Sequence, residues 1–384
     1  MSHRQIMPSH ERCPQGTTNV VCMPDRGVVN GRPGVVAETS DVGAARALAS
    51  ELAGIDAVDA VAVHIGKPGE PVVLRATGPV RSLTEAASAL PDAAIRETRS
   101  RHLRRHRVGW ALGEASPGVS VVYRVRRHRD LDPAAFHDHW ERTHAPIALR
   151  HHMGMWDYEQ VSAVADDGAG DGVGGFDGLA IVQFAVAEDL RDRFFDGPEG
   201  LEVISADAAS FTDSAATRRQ RTIEEVFKVA AVQPSTTYDA ADHRSLNFTA
   251  SCDEVWATLG DFSAFLDWWP SGFVACDITP GDPITRTLTR NDGSAAVESL
   301  LRHDDGDHMF QLAVIQGLPA GIGSYTCRYE LRETPDGCRL DWSPRAIVRG
   351  DAWPTLGAMV DRGWERVSAG LGAVFSTVDP VGER

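Results

Sequence analysis

His144 closes a segment, Phe136-His137-Asp138-His139-Trp140-Glu141-Arg142-Thr143-His144-Ala145-Pro146, in which aromatic and imidazole side chains recur at helical spacing. Phe136, Trp140, His144 and Ile147 fall on one helical face. A histidine at the inner face of a helix C-terminus titrates near neutrality and can move a proton to or from a carbonyl compound. The helix dipole at that end favours its protonated form. The structural alternative is a core histidine bonded to a backbone carbonyl. Phe136 and Trp140 are either core aromatics or walls for a planar substrate. Tyr158 alternates with Trp156 and Gln160 along a strand-like stretch. Its phenol could bond an enolate or phenolate oxygen, or serve packing. His144 and Tyr158 are thus the candidate catalytic residues, with Phe136, Trp140 and Trp156 as candidate substrate contacts.

A second aromatic segment, Phe265-Leu266-Asp267-Trp268-Trp269-Pro270, precedes a set of strands. Arg286 and Glu298 lie roughly opposite each other across a hairpin at Asn291-Asp292-Gly293. They form either a surface cross-strand ion pair or an internal pair. Inside, Arg286 would stabilise enolate oxygens of a poly-β-carbonyl substrate. Trp268, Trp269 and Tyr325 either border that cavity or plug it.

Other chemistries find little support. His137, Glu141 and His144 share a helix, but three ligands on one helix do not converge on a metal, and no H-E-x-x-H pattern occurs. No metal and no cofactor are expected. The Gly-rich run Gly168 to Gly175 is acidic and precedes no helix, so it reads as a flexible hairpin and not a phosphate loop. No G-x-S-x-G elbow is present. Of 38 basic residues only Lys67 and Lys228 are lysines, which leaves few candidates for Schiff-base chemistry. The six cysteines are scattered without a C-x-x-C pair and read as free thiols.

The elements that must hold these residues emerge from periodicity. After an irregular arm over 1–33, strands and helices alternate as βαββαβ over 34–115 and again over 116–232. In the first copy Ser82 to Arg96 reads as helix and Arg107 to Leu112 as the closing strand. In the second, Asp132-Pro133 is an N-cap and first helical position, and the closing strand runs from Glu225 to Val232. The basic run Arg99 to Arg107 reads as a solvated helix end or a domain seam. Residues 233–242 read as a linker. A strand, a short helix, a meander with Asp-Gly turns and a long amphipathic helix fill 243–384. The expected fold class is α+β: a tandem ferredoxin-like pseudo-dimer enclosing a cavity between its sheets, then a helix-grip domain with a ligand chamber.

Phe136, Trp140, His144-Ala145-Pro146 and Tyr158 resemble the EthD-like members of the dimeric α/β-barrel superfamily. The likeness covers about residues 118–232, and residues 34–115 by topology alone. Glu254-Val255-Trp256, the 265–270 segment, Arg286-Thr287-Leu288, Glu298, Gly317-Leu318-Pro319, Tyr325 and Trp342 resemble the SRPBCC (START-like) superfamily, in its polyketide cyclase/dehydrase branch. The resemblances imply cofactor-independent cyclisation, dehydration or aromatisation of an aromatic polyketide or related natural product. Two alternatives stay open: a cofactor-independent oxygenase of an electron-rich phenol, and a non-catalytic carrier of an apolar aromatic metabolite. The expected partner is a small aromatic or polyketide molecule. The net charge of −16 argues against nucleic acid. No apolar run reaches membrane-spanning length and no leader is seen, so a cytoplasmic, bacterial protein is expected, monomeric or homodimeric.

Overall fold

The computed structural model describes residues 31–164 and 175–378. The N-terminal arm, except for its last residues, and nearly all of the Gly-rich hairpin lie outside them. The chain is mixed α+β and dominated by strands. Its first part contains β1 (Arg32–Thr39), α1 (Val42–Ala53), β2 (Ala60–Ile65), β3 (Val72–Thr77), α2 (Val80–Ala87) and β4 (Ala94–His106). The second contains β5 (Val119–Val125), α3 (Pro133–His139), α4 (Ala145–His151), β6 (Met155–Ala163), β7 (Gly178–Phe184), α5 (Ala187–Asp192), α6 (Pro198–Phe211) and β8 (Arg218–Lys228).

Pairing within these parts gives the orders β4-β1-β3-β2 and β8-β5-β7-β6. β2 also pairs with β8, and β4 with β6, so the eight strands close a ring. Closure removes the open edges that a sheet otherwise exposes. Alternation divides each strand between two environments. Val35, Val61 and Leu74 pack under the helices of the first part, in one cluster with Leu52 of α1. Val36, Val73, Val122, Val161, Leu179 and Ile181 meet inside the ring.

The basic run belongs to β4 and not to a helix end. Its main chain is paired on both sides, to β1 and β6, so alternating side chains leave the strand for opposite faces. The closing strands also differ from expectation, β4 ending at His106 and β8 beginning at Arg218. In both cases cross-strand partners, which periodicity along one strand does not reveal, set the limits.

The third part contains β9 (Thr237–Ala241), β10 (Arg244–Phe248), α7 (Cys252–Leu259), α8 (Phe265–Trp268), β11 (Phe273–Thr279), β12 (Thr285–Arg290), β13 (Ala295–Asp304), β14 (Met309–Gln316), β15 (Ile322–Thr334), β16 (Gly337–Arg349), α9 (Trp353–Val374) and β17 (Thr377–Val378). A capping box, Ser251 with Glu254, starts α7. β10 to β16 form an antiparallel sheet in the order β10-β16-β15-β14-β13-β12-β11. It curls around α9, whose Leu356, Val360, Val367 and Leu371 are buried in one core with Trp342, Phe310 and Trp268. The segment expected as a linker is partly β9. That strand pairs parallel with β4 and antiparallel with β16, so main-chain hydrogen bonds join the ring to the third part. No helix among the described residues is long and apolar enough to cross a membrane.

One close approach fixes the helices on the second part. A Cβ added at Gly178 would sit 2.2 Å from Trp140 Cζ3. Gly178→Ala therefore forces the indole or β7 to move. We expect a loss of about 1–3 kcal/mol in urea unfolding, with the ring topology retained.

Candidate functional site

The helical layer over β5–β8 brings Phe136, Trp140 and His144 together. Asp132 caps α3 by accepting from Ala135 N, and Pro133 comes directly after it. A π-helical turn, Trp140–His144, links α3 to α4. Such turns add a residue to the helical ladder and so rotate the next helix about its axis. Phe136 and Trp140 are buried with Phe211 and Val125. His144 Nδ1 is 2.7 Å from Asp207 Oδ2, and His139 Nε2 is 2.8 Å from Asp207 Oδ1. Burial would raise the Asp207 carboxyl, but hydrogen bonds from both imidazoles outweigh it and hold it below the ordinary range. His144 also faces the Phe211 ring at 5.0 Å. Asp207 and His139 were not legible as its partners, because Asp207 on α6 stands 63 residues downstream of His144.

This imidazole sits outside the ring, in the helical layer, and does not reach the space between the sheets. Tyr158 is on the same outer face, buried against Ala145, Ala148 and Met155. Its hydroxyl accepts from Gln160 Nε2 at 3.0 Å, and burial pushes it up to about 12. No hydrogen bond joins Tyr158 to His144 among the described residues. Trp156 leaves this face altogether. A bulge between Met155 and Asp157 breaks the alternation, so Trp156 stacks on His106 at 4.6 Å instead of flanking Tyr158.

Inside the ring, the expected cavity is filled by paired charges. Arg75 Nη1 is 2.9 Å from Glu159 Oε2, and Arg75 Nη2 is 3.7 Å from Glu224 Oε1. His64, fully buried, lies beside Glu224 and 3.4 Å from Ser120 Oγ. Asp157 Oδ2 bonds His106 Nδ1 at 2.8 Å. Burial, then the charge of Arg75, pushes His64 down to about 3. Burial would raise Asp157, but the charges of His102 and His106 and the bonds from His106 hold it at about 2. A sequence signal was present for two of these, His64 and Arg75, each the one polar group of its kind among apolar neighbours on its strand.

The third part gathers the remaining candidates. Arg286 and Glu298 are directly opposite in the β12–β13 register, with Arg286 Nε donating to Glu298 Oε2 at 2.7 Å. The pair is internal. Arg286 is 3% exposed, its Nη1 donates to Phe262 O at 3.0 Å, and its guanidinium lies 4.1 Å and 4.2 Å from the Phe262 and Phe265 ring centres. Trp268 and Trp269 pack on Phe265 at 5.5 Å and 4.7 Å. Their indole Nε1 atoms are buried with no hydrogen-bond partner among the described residues. Tyr325, Cys327 and Tyr329 project from β15 into this interior. Burial, then the neighbours Cys327, Tyr329 and Glu298, push the Tyr325 phenol well above its ordinary value. It therefore stays a hydroxyl donor through neutral pH. The arrangement places a buried cation and a hydroxyl donor in one interior, and a cavity of about 10 Å³ lies beside Tyr325, lined also by Arg107, Asp242, Leu356 and Val360.

Residues 128–215 match the family described as EthD domain, and residues 242–374 match the family described as polyketide cyclase / dehydrase and lipid transport. The two matches follow one another along the chain. No curated protein matches it. Among solved structures, XoxI from Bacillus cereus is 21% identical, with 35% of this chain and 92% of that chain covered and a TM-score of 0.30. Norcoclaurine synthase from Thalictrum flavum is 19% identical, with 36% and 87% covered and a TM-score of 0.32. A Thermobifida fusca protein is 21% identical, with 35% and 89% covered and a TM-score of 0.31.

The ring interior makes folding sensitive to acid. Unfolded, His64 takes up a proton below about pH 6.5; folded, it does so only near 3. Stability is thus lost as pH falls through that window, and Asp157 extends the loss toward about 2. His64→Gln is expected to flatten the dependence by up to about 1.4 kcal/mol per pH unit between pH 6 and 4. Urea midpoints measured across that range check this; an unchanged slope counts against it.

Proposed function

We propose that the protein is a cyclase or dehydratase acting on an aromatic polyketide or related poly-β-carbonyl intermediate, with its chemistry in the interior of the 242–374 domain. The observation that carries this is the Arg286–Glu298 pair, its guanidinium buried against Phe262 and Phe265 in the same interior as Tyr325. The family of that domain supports a cyclase or binding role. In this reading Glu298 takes a proton from the carbon between two carbonyls. Arg286 and the Tyr325 hydroxyl stabilise the enolate oxygen. The enolate carbon attacks a second carbonyl, and protonated Glu298 returns its proton to the alkoxide so formed; Glu298 then takes the remaining proton from the attacking carbon, a C=C bond forms as the C–O bond breaks, and the hydroxide leaves as water with that proton. Trp268, Trp269 and Phe265 hold the chain folded for closure, which lowers the entropic part of the barrier. We further propose that residues 34–115 and 116–232 are two ferredoxin-like copies forming a pseudo-dimeric barrel.

A second reading rests on the His144–Asp207 bond. With Nδ1 held by the carboxylate, Nε2 is left for proton transfer, and the EthD half would then carry the acid–base step in the helical layer, beside Phe136 and Trp140.

Mass analysis of products from a panel of polyketide intermediates tests both. Loss of water indicates dehydration, an unchanged mass with altered chromatography indicates ring closure, and a gain of oxygen points to an oxygenase. Binding with no product at all points to a carrier. Glu298→Gln is expected to lower turnover about 100-fold. Arg286→Gln leaves a buried carboxylate without its partner and lowers stability as well. The double variant Arg286→Leu/Glu298→Leu restores folding while remaining inactive. Full turnover in that double variant would remove the proposed site. Loss of turnover in His144→Ala, with ligand still bound, assigns the proton transfer to the EthD half.

A further inference from the structure

Cys252 and Cys338 stand 86 residues apart in the chain, and their sulfurs meet at 2.7 Å in the core of the third part. They are 1% and 0% exposed, and both are unlinked thiols in this structure. A disulfide holds its sulfurs at about 2.05 Å, so a further approach of roughly 0.7 Å separates the two arrangements.

The main chain seats each thiol firmly. Cys252 is the first residue of α7, directly after the Ser251 cap that closes a box with Glu254. Cys338 is on β16, opposite Phe248 of β10 on one side and Glu333 of β15 on the other. β10 ends at Phe248, so the strand that pairs with Cys338 leads within a few residues into the helix that carries Cys252. Gly337, just before Cys338, has a φ of 145°, and a Cβ there would sit 2.2 Å from Phe248 O. The close approach of the two strands at this point brings the start of α7 against the start of β16. The other described cysteines lie elsewhere, Cys276 on β11 opposite Leu288 and Cys327 on β15 opposite Leu312. Burial, then the hydrogen bond with Cys338, hold the Cys252 thiol well above its ordinary value. Attack by its thiolate therefore waits on local opening.

We propose that Cys252 and Cys338 form a disulfide that staples α7 to the β15–β16 hairpin, with a small disulfide such as oxidised glutathione as the oxidant. One protein thiolate attacks the glutathione disulfide, forms a mixed disulfide and releases one glutathione thiol. The second protein thiolate attacks the protein sulfur of that mixed disulfide, closes the new S–S bond and releases the second glutathione thiol. The two protons lost by the cysteines end on the two glutathione thiols. The bond closes a loop that contains α8 and β11 to β14, and so restrains the unfolded chain over most of this domain's sheet. Tyr325 pairs with Ala346, well along β16 from Cys338, so the staple stands apart from the proposed chemistry.

The test incubates the full chain with oxidised glutathione at about pH 8, in urea below the unfolding midpoint so that local opening admits the reagent. The protein is then alkylated and digested with trypsin without reductant. We expect a linked pair of peptides, 245–286 with 333–339, two hydrogens lighter than their sum. The pair persists in Cys276→Ser and vanishes in Cys252→Ser. Linking raises the melting temperature by roughly 5 °C or more, and reductant reverses the rise. Recovery of both peptides unlinked overturns the proposal, as does a pair that survives Cys252→Ser or a link that leaves the melting temperature unchanged. Should Cys252→Ser fail to fold, fragmentation of the linked pair from the parent decides: a bond at Cys252 supports the staple and a bond at Cys276 overturns it.

Discussion

Arginines fasten the ring to the third part, Arg107 to Asp242 and Asp361, Arg332 to Asp189 and Arg193 to Glu330, and Arg104 does so where the chain itself crosses. Arg104, on β4, donates to Asp239 on β9 through Nε and Nη2, both at 3.0 Å. It also reaches the main-chain oxygens of Met155 at 3.1 Å and Leu149 at 3.2 Å. A planar fork with fixed donors suits this task, because one group satisfies acceptors on several segments at once. The strand that enters the 242–374 domain is thereby tied to β4, to β6 and to α4. The parallel β4–β9 pairing runs through the same residues, Arg104 opposite Asp239.

Charge placement organises what surrounds that junction. Within the ring, arginine and histidine meet glutamate and aspartate at distances that leave little open volume, so the eight-stranded ring works as a packed and charged core. The 242–374 domain treats charge differently. Its interior holds the pair Arg286 with Glu298, with the Phe262 and Phe265 rings against the guanidinium. Buried pairs contribute little to net stability once desolvation is counted. β15 serves both regions, with Tyr325, Cys327 and Tyr329 turned toward the aromatic interior and Arg328, Glu330 and Arg332 turned toward the ring.

The two aromatic segments that stand out in the sequence end in different circumstances. Around Trp140, a π-helical turn and the contact with Gly178 seat the indole in the core, while His144 turns to Asp207. Around Trp268, α8 closes over Arg286 and leaves two indole N–H groups without partners in the interior.

Residue order along short segments was enough to specify much of this protein. Alternation marked most strands, Asp132-Pro133 marked a helix start, and the spacing of Leu356, Val360, Val367 and Leu371 marked α9, since each of these signals acts within a few residues. The cross-strand proximity of Arg286 and Glu298 was likewise readable from one hairpin. Long-range packing was needed to turn that pair inward, to part Trp156 from Tyr158 at a bulge, and to set His144 outside the ring, bonded to a carboxylate on α6. It also made an apparent linker into a shared strand and a basic run into β4. The reason is common to all of these. Facing, register and burial depend on which distant strand supplies the neighbouring hydrogen bonds, and residue order along one segment does not contain that partner.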